Sequence, residues 1–157
     1  MKNEYLNIYN NLIKLTRNKS LYYNLKNNDT FSDRLVILLL HFGFFLKTYK
    51  NSLSKNEAQD LFDFIVRQIE LSIREIGYGD ATINKKMKDY INLLFSILDK
   101  INDWENITKS QKIKILKLYI NESDNYDFYI NYFEKYCYYL SKNSFKNLSK
   151  DILTFKV

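Results

Sequence analysis

The stretch Ile73-Arg74-Glu75-Ile76-Gly77-Tyr78-Gly79-Asp80, continued by Ala81-Thr82-Ile83-Asn84-Lys85-Lys86-Met87-Lys88-Asp89-Tyr90, decides the fold. Two of the chain's three glycines stand one residue apart in it, between two long runs of helical periodicity. Gly77 sits where a helix has just ended and the backbone wants the left-handed region, which a Cβ makes costly; Gly77 or Gly79 should therefore take a positive φ. Asp80 or Thr82 can cap the next helix by accepting a hydrogen bond from its free N–H groups. A helix, a tight turn and a second helix follow, with Arg74, Glu75, Asp80, Lys85 and Lys86 gathered at the joint.

Outward from the joint, helix punctuation continues in both directions. Ser54-x-x-Glu57 reads as a capping box opening a helix that runs to about Ile76, with Leu61, Phe62, Ile65, Ile69, Ile73 and Ile76 as its inward stripe. On its other face Asp63, Arg67, Glu70 and Arg74 alternate in sign, which suits a solvated face or a docking stripe. Thr30-x-x-Asp33 opens a helix over 31–49 whose apolar residues occur nearly all round, the mark of a central buried helix. Before it, residues 4–16 have helical spacing, with a short continuation through Leu21-Tyr22-Tyr23-Leu25. After the joint, Ile83, Met87, Tyr90, Ile91, Leu94, Phe95, Leu98 and Ile101 mark a helix over 82–103. Thr108-x-x-Gln111 caps another, Asp124 starts an aromatic-rich helix to about Ser141, and 144–157 has room for one more turn. With no proline and few glycines, the expectation is all-α: a compact single-domain bundle of six or seven helices over 1–157.

The joint also has a recognisable wording. Ile73-Arg74-Glu75, the Gly-x-Gly-Asp turn and Lys85-Lys86-Met87-Lys88 resemble the core signature of the ubiquinol–cytochrome c chaperone family. Upstream, Ser32-Asp33-Arg34, the apolar run 35–40 and His41-Phe42 are similar to that family's leucine-rich helix ending in Leu-His. Ala58-Gln59-Asp60-Leu61-Phe62-Asp63 is similar to the start of its second conserved helix, so the resemblance spans about 31–95. It departs after Phe95, where Ile97, Leu98 and Asn102 replace a usual Gly-Arg pair and a later Tyr, and at residues 66–70, which are poorer in acids. The departures bear on the detail of partner contacts and leave the joint intact.

What the resemblance implies is a non-catalytic helical protein that assists assembly of the respiratory quinol–cytochrome c reductase by handling newly made cytochrome b. Its partners would be cytochrome b or another reductase subunit, with a small co-chaperone or the ribosome surface as further candidates. The partner-binding patch would comprise Arg74, Glu75, Gly77, Tyr78, Gly79, Asp80, Lys85, Lys86 and Lys88. The expected location is cytoplasmic and peripheral at the inner membrane, on the matrix side in a eukaryotic cell.

Composition sets bounds independent of that resemblance. The formal net charge of +6 favours anionic partners such as RNA, a ribosome surface or a negative leaflet, although a lysine-biased proteome accounts for it equally well. Asn, Lys, Ile and Tyr dominate, as in an AT-rich genome, so each of the four arginines (17, 34, 67 and 74) says more than any lysine. One Cys and one His argue against a structural zinc site and against an intramolecular disulfide. No segment reaches the roughly twenty apolar residues of a membrane span, and Met1-Lys2-Asn3-Glu4 does not read as the opening of a signal peptide.

Catalytic constellations are missing. His41, in the most apolar helix, reads as a hydrogen-bonded core residue, and Cys137 among tyrosines as a packed side chain with no histidine to activate it. Gly77-x-Gly79 lacks the third glycine, the preceding strand and the Lys-Ser/Thr of a phosphate loop. No cofactor, metal or specific DNA binding is expected. The lysines 85, 86 and 88 stand near a helix N-terminus, against the macrodipole, as a site for an anionic partner or as a solvated cluster. Tyr78 and Tyr22-Tyr23 are candidates to stand out from the surface, where aromatics hold bases or apolar peptide segments. The alternative function is therefore a basic helical RNA- or ribosome-binding module; an enzyme with an unrecognised helical site comes third.

Overall fold

The structure, a computed structural model, describes residues 2–25, 30–120 and 123–150. Seven α-helices follow in order among them: α1 (Lys2–Thr16), α2 (Phe31–Tyr49), α3 (Lys55–Glu75), α4 (Asp80–Lys100), α5 (Lys109–Tyr119), α6 (Tyr126–Ser141) and α7 (Phe145–Lys150). Short 3-10 turns occupy Lys19–Leu21 and Trp104–Asn106. The described residues hold no strand, only an isolated bridge between Leu25 and Ser123. All-α is the architecture.

Local chemistry sets the helix starts. Thr30 with Asp33, Ser54 with Glu57 and Thr108 with Gln111 each form a reciprocal capping box, the side chain at either end taking the other's backbone N–H. The helix expected from Asp124 begins at Tyr126, because Asn125 supplies the cap by accepting from the Phe128 N–H. The continuation expected after α1 is a 3-10 turn, capped by the Asn18 carboxamide on the Ser20 N–H. Tyr22, expected to stand out, is buried there with its hydroxyl on the Thr16 carbonyl, so Tyr23 alone faces solvent, 74% exposed.

α2 is the axis of the bundle. Residues 37–45 are all buried, and the helix packs against α1, α4 and α6. Its approach to α4 depends on Gly43. A Cβ at that position would lie 2.8 Å from Ile97 Cγ2, too close for any real side chain. Two residues before Gly43, His41 is fully enclosed. Its Nδ1 lies 2.7 Å from the Ile37 carbonyl, which can only accept, so Nδ1 carries the proton and Nε2 accepts from the Tyr132 hydroxyl at 2.6 Å. Tyr132, Phe133 and Tyr136 meet the imidazole edge-on with centroids 5.0–5.4 Å away. Burial pushes the His41 pKa down to about 4, with the Ile37 bond opposing.

Tyrosine hydroxyls tie the buried aromatic layer to the backbone. Tyr129 donates to the Leu21 carbonyl at 2.6 Å, Tyr136 to that of His41 at 3.1 Å, and Tyr49 to those of Leu140 and Asn143 at 2.8 and 2.9 Å. Each bond satisfies a carbonyl that lies at or near a helix end or in a turn, where intrahelical partners run short, or, at His41, lends a second donor in mid-helix. Desolvation raises the pKa of Tyr49, Tyr129, Tyr132 and Tyr136, so all four stay protonated as donors.

Candidate functional site

The joint between α3 and α4 has the predicted backbone. Gly77 has φ +102 and closes the end of α3 by donating its N–H to the Arg74 carbonyl at 3.0 Å. Gly79 is instead in extended backbone (φ −72) and serves as the N-cap of α4 with no side-chain bond. Neither Asp80 nor Thr82 caps: α4 already begins at Asp80, whose carboxylate is turned to another use.

That use is Arg74. Its guanidinium reaches Asp80 Oδ1 at 2.9 Å across the turn and Glu70 Oε1 at 3.5 Å one turn back, while Arg67 also pairs with Glu70. The hydrogen bond that Arg74 donates to Asp80, with the charges of Glu70 and Asp80, raises the Arg74 pKa further. The charge ladder expected along α3 thus exists in its C-terminal half, and Arg74 staples it to α4. Asp80 in the first turn of α4 also sits favourably at the positive end of the helix dipole.

The staple holds an apolar tip in the open. Ile76 is 47% and Tyr78 42% exposed. Ile76, expected on the inward stripe, lies outside it at the C-cap, where the helix tightens and its N–H bonds the Ile73 carbonyl. Lys86, one of the three lysines near the start of α4, is half-buried, with its Nζ 4.8 Å from the Tyr78 ring centroid in a cation–π contact. Glu75, Lys85 and Lys88 are exposed. Of the nine expected patch residues, direct contacts join Arg74 to Asp80 and Lys86 to Tyr78 across the turn, with Gly77 and Gly79 shaping it.

One surface feature escaped the sequence reading. Phe62 of α3 and Phe95 of α4 stack with centroids 5.6 Å apart and planes 10° from parallel, and Phe95 is 54% exposed. Phe62, expected on the inward stripe, is only partly buried at its edge. The signal was available: Leu61, Ile65, Ile69 and Ile73 form a complete buried stripe without Phe62, as do Ile83, Met87, Leu94, Ile97 and Ile101 without Phe95.

Reactive groups are elsewhere and are muted. Burial, the largest influence, pushes the Cys137 thiol up to about 12, which keeps it a thiol rather than a thiolate. Among the described residues no group of three His, Cys, Asp or Glu could hold a metal, and no helix is long and apolar enough to cross a membrane.

Comparison with curated proteins and with solved structures gave no match. The family model for Ubiquinol-cytochrome C chaperone matches residues 24–102. The match covers just over half of the 157 residues and takes in all of α2, α3, the glycine joint and α4. It extends beyond 31–95 and includes Ile97, Leu98 and Asn102, the positions at which the wording departs. With the buried axis, the stapled turn and the helix beyond it all inside the matched span, the chain belongs to the ubiquinol–cytochrome c chaperone family.

Proposed function

We propose that this protein is a non-catalytic assembly chaperone for the ubiquinol–cytochrome c reductase, holding apolar segments of newly made cytochrome b at the α3–α4 turn. The family membership supports the reductase as the destination. The observation that carries the site is the apolar tip of Ile76 and Tyr78, kept exposed by a positive-φ glycine and the Arg74–Asp80 staple. Apolar side chains on a rigid turn offer contact area without an ordering penalty, as a binding surface for hydrophobic segments requires. Around them Lys85, Lys88 and Glu75 form a charged rim that suits a small co-chaperone or the anionic face of the inner membrane, where the protein acts peripherally from the aqueous side.

The test is capture of translated cytochrome b by the tagged chain in the presence of membrane vesicles. Ile76→Ser with Tyr78→Ser should abolish capture, and Lys85→Glu with Lys88→Glu should weaken it, both at unchanged melting temperature because the four side chains are exposed. Full capture by both variants removes the turn from the mechanism, and loss of capture together with stability points to a structural role. The RNA- or ribosome-binding reading has narrower support. Lysines 86, 117 and 142 lie over the rings of Tyr78, Tyr126 and Tyr138, so the faces a base would stack on are shared with the protein's own cations.

A further inference from the structure

At the ends of α3 and α4 far from the glycine turn, a cleft of about 450 Å³ opens between α2, α3 and α4. Leu46 of α2, Leu53 of the connection to α3, Ala58 of α3 and Leu98 of α4 give it half-buried apolar walls. The apolar surface continues along the seam of the two helices. One turn from Ala58 and Leu98 lies the Phe62–Phe95 stack with Phe95 exposed, and the half-buried Val66 and Ile91 repeat the spacing a turn further. The strip therefore has a rung at every turn over about 12 Å of α3.

Positive charge gathers at the cleft end, where Lys47, Lys50 and Lys55 line the opening. Lys47 is paired with Glu105, but Lys50 and Lys55 are exposed and have no ion pair among the described residues. Nearby acids of α3 and α4 are turned to other uses. Glu57 closes the capping box with Ser54, Asp60 lies near Tyr5 of α1, Asp63 accepts from the Gln59 amide, and Asp99 lies near Tyr119 of α5.

We propose that this groove receives an amphipathic helix of a partner protein, its apolar stripe laid along the α3–α4 seam and acidic side chains at one end of the stripe set against Lys50 and Lys55. One apolar side chain fills the cleft, and residues three or four places along rest on the Phe62–Phe95 stack, the spacing by which helices dock into grooves. Uncompensated positive charge at one end of the strip sets both the sign and the direction of the partner. A lipid chain would use the cleft and leave the rungs beyond it idle. The stack lies about 20 Å along α3 from Ile76, so this surface does not depend on how a client is held at the turn.

Fluorescence anisotropy of the full chain with synthetic helical peptides tests this. The probes are a peptide with leucine and phenylalanine at i, i+4 and i+7 and glutamates at one end of that stripe, its counterpart with lysines for the glutamates, and a scrambled peptide of the first composition. The acidic striped peptide should bind one-to-one and saturably, the other two more weakly by at least about tenfold. Lys50→Glu with Lys55→Glu should reverse the order of the acidic and basic peptides. Melting temperature should hardly change, because Lys50 stands at the C-cap of α2 and Lys55 in the first turn of α3, where the helix dipoles act in opposite senses. Phe95→Ser should weaken the acidic peptide by at least about tenfold; should that variant melt early, Ala58→Gln provides the second test by narrowing the cleft. No saturable binding, equal binding of acidic and basic peptides, or indifference to both kinds of variant overturns the proposal. Lysine-dependent sedimentation with phosphatidylglycerol vesicles in the absence of peptide binding overturns it too, and assigns the groove to a lipid.

Discussion

Lowering the pH from about 7.5 to 5 should remove about 2 kcal/mol of folding stability through His41 alone. In the native state its neutral form is required twice, since Nδ1–H must donate to Ile37 and the Nε2 lone pair must receive the Tyr132 hydroxyl. A proton on Nε2 would strand the Tyr132 hydrogen and place a charge in an enclosure of aromatic rings. The folded pKa is accordingly lowered from 6.5 to about 4. In this window the unfolded chain binds the extra proton, so stability falls as pH falls below the unfolded value and levels off below the folded one. At about 1.4 kcal/mol per pH unit, the full loss is roughly 3 kcal/mol, most of it already present by about pH 5. Glu105 does not interfere. Burial would raise its pKa, but the hydrogen bond and charge of Lys47 outweigh it, so its net lowering costs stability only as pH falls below the ordinary carboxylate range. Urea denaturation at the two pH values, with His41→Gln as the comparison, isolates the effect because the chain has one histidine. The substitution should flatten the pH dependence. Equal pH dependence in the two proteins, or an imidazole resonance titrating near its free value, refutes the reasoning.

Two further expectations concern glycines. Gly77→Val should cost on the order of 1–3 kcal/mol from backbone strain alone, since the space around it is open, whereas Gly79→Ser should change thermal stability by only a few tenths of a kcal/mol, in the favourable direction of a new N-cap. Gly43→Ala should cost about 1–3 kcal/mol by overpacking, offset in part by better helix propensity. In a double-mutant cycle Ile97→Ala should recover that cost, and additive losses would remove the close contact from the account.

What was legible in the sequence was whatever depends on near neighbours in the chain. Thr30 with Asp33, Ser54 with Glu57 and Thr108 with Gln111 each need only a spacing of three, and Gly77 needs only the helix it ends. Of the site, the shape of the turn and its Arg74–Asp80 staple were within reach for the same reason. The misreadings are matters of distance along the chain or of helix rotation. The need for glycine at position 43 was not legible because the side chain that demands it, Ile97, lies on another helix. The Phe62–Phe95 stack at the edge of the core was not legible, because hydrophobicity does not say whether a stripe is already complete. Ile76 lost its inward place because it stands at the C-cap of α3, past the last buried residue of the stripe.

The tyrosine hydroxyls have a consequence for uniqueness. A layer built from Phe rings alone could rotate or slide by a turn and find nearly equal contacts, since one ring fills another's place. The hydroxyls at positions 49, 129, 132 and 136 act as keys, each fitting a lock at one height on one neighbouring helix. Replacing them with Phe would leave a compact helical molecule with a blurred interior: strong far-ultraviolet dichroism, weak near-ultraviolet signal and broad melting. The aromatic abundance of this chain supplies bulk, and its preference for tyrosine in the buried layer supplies the address of each helix.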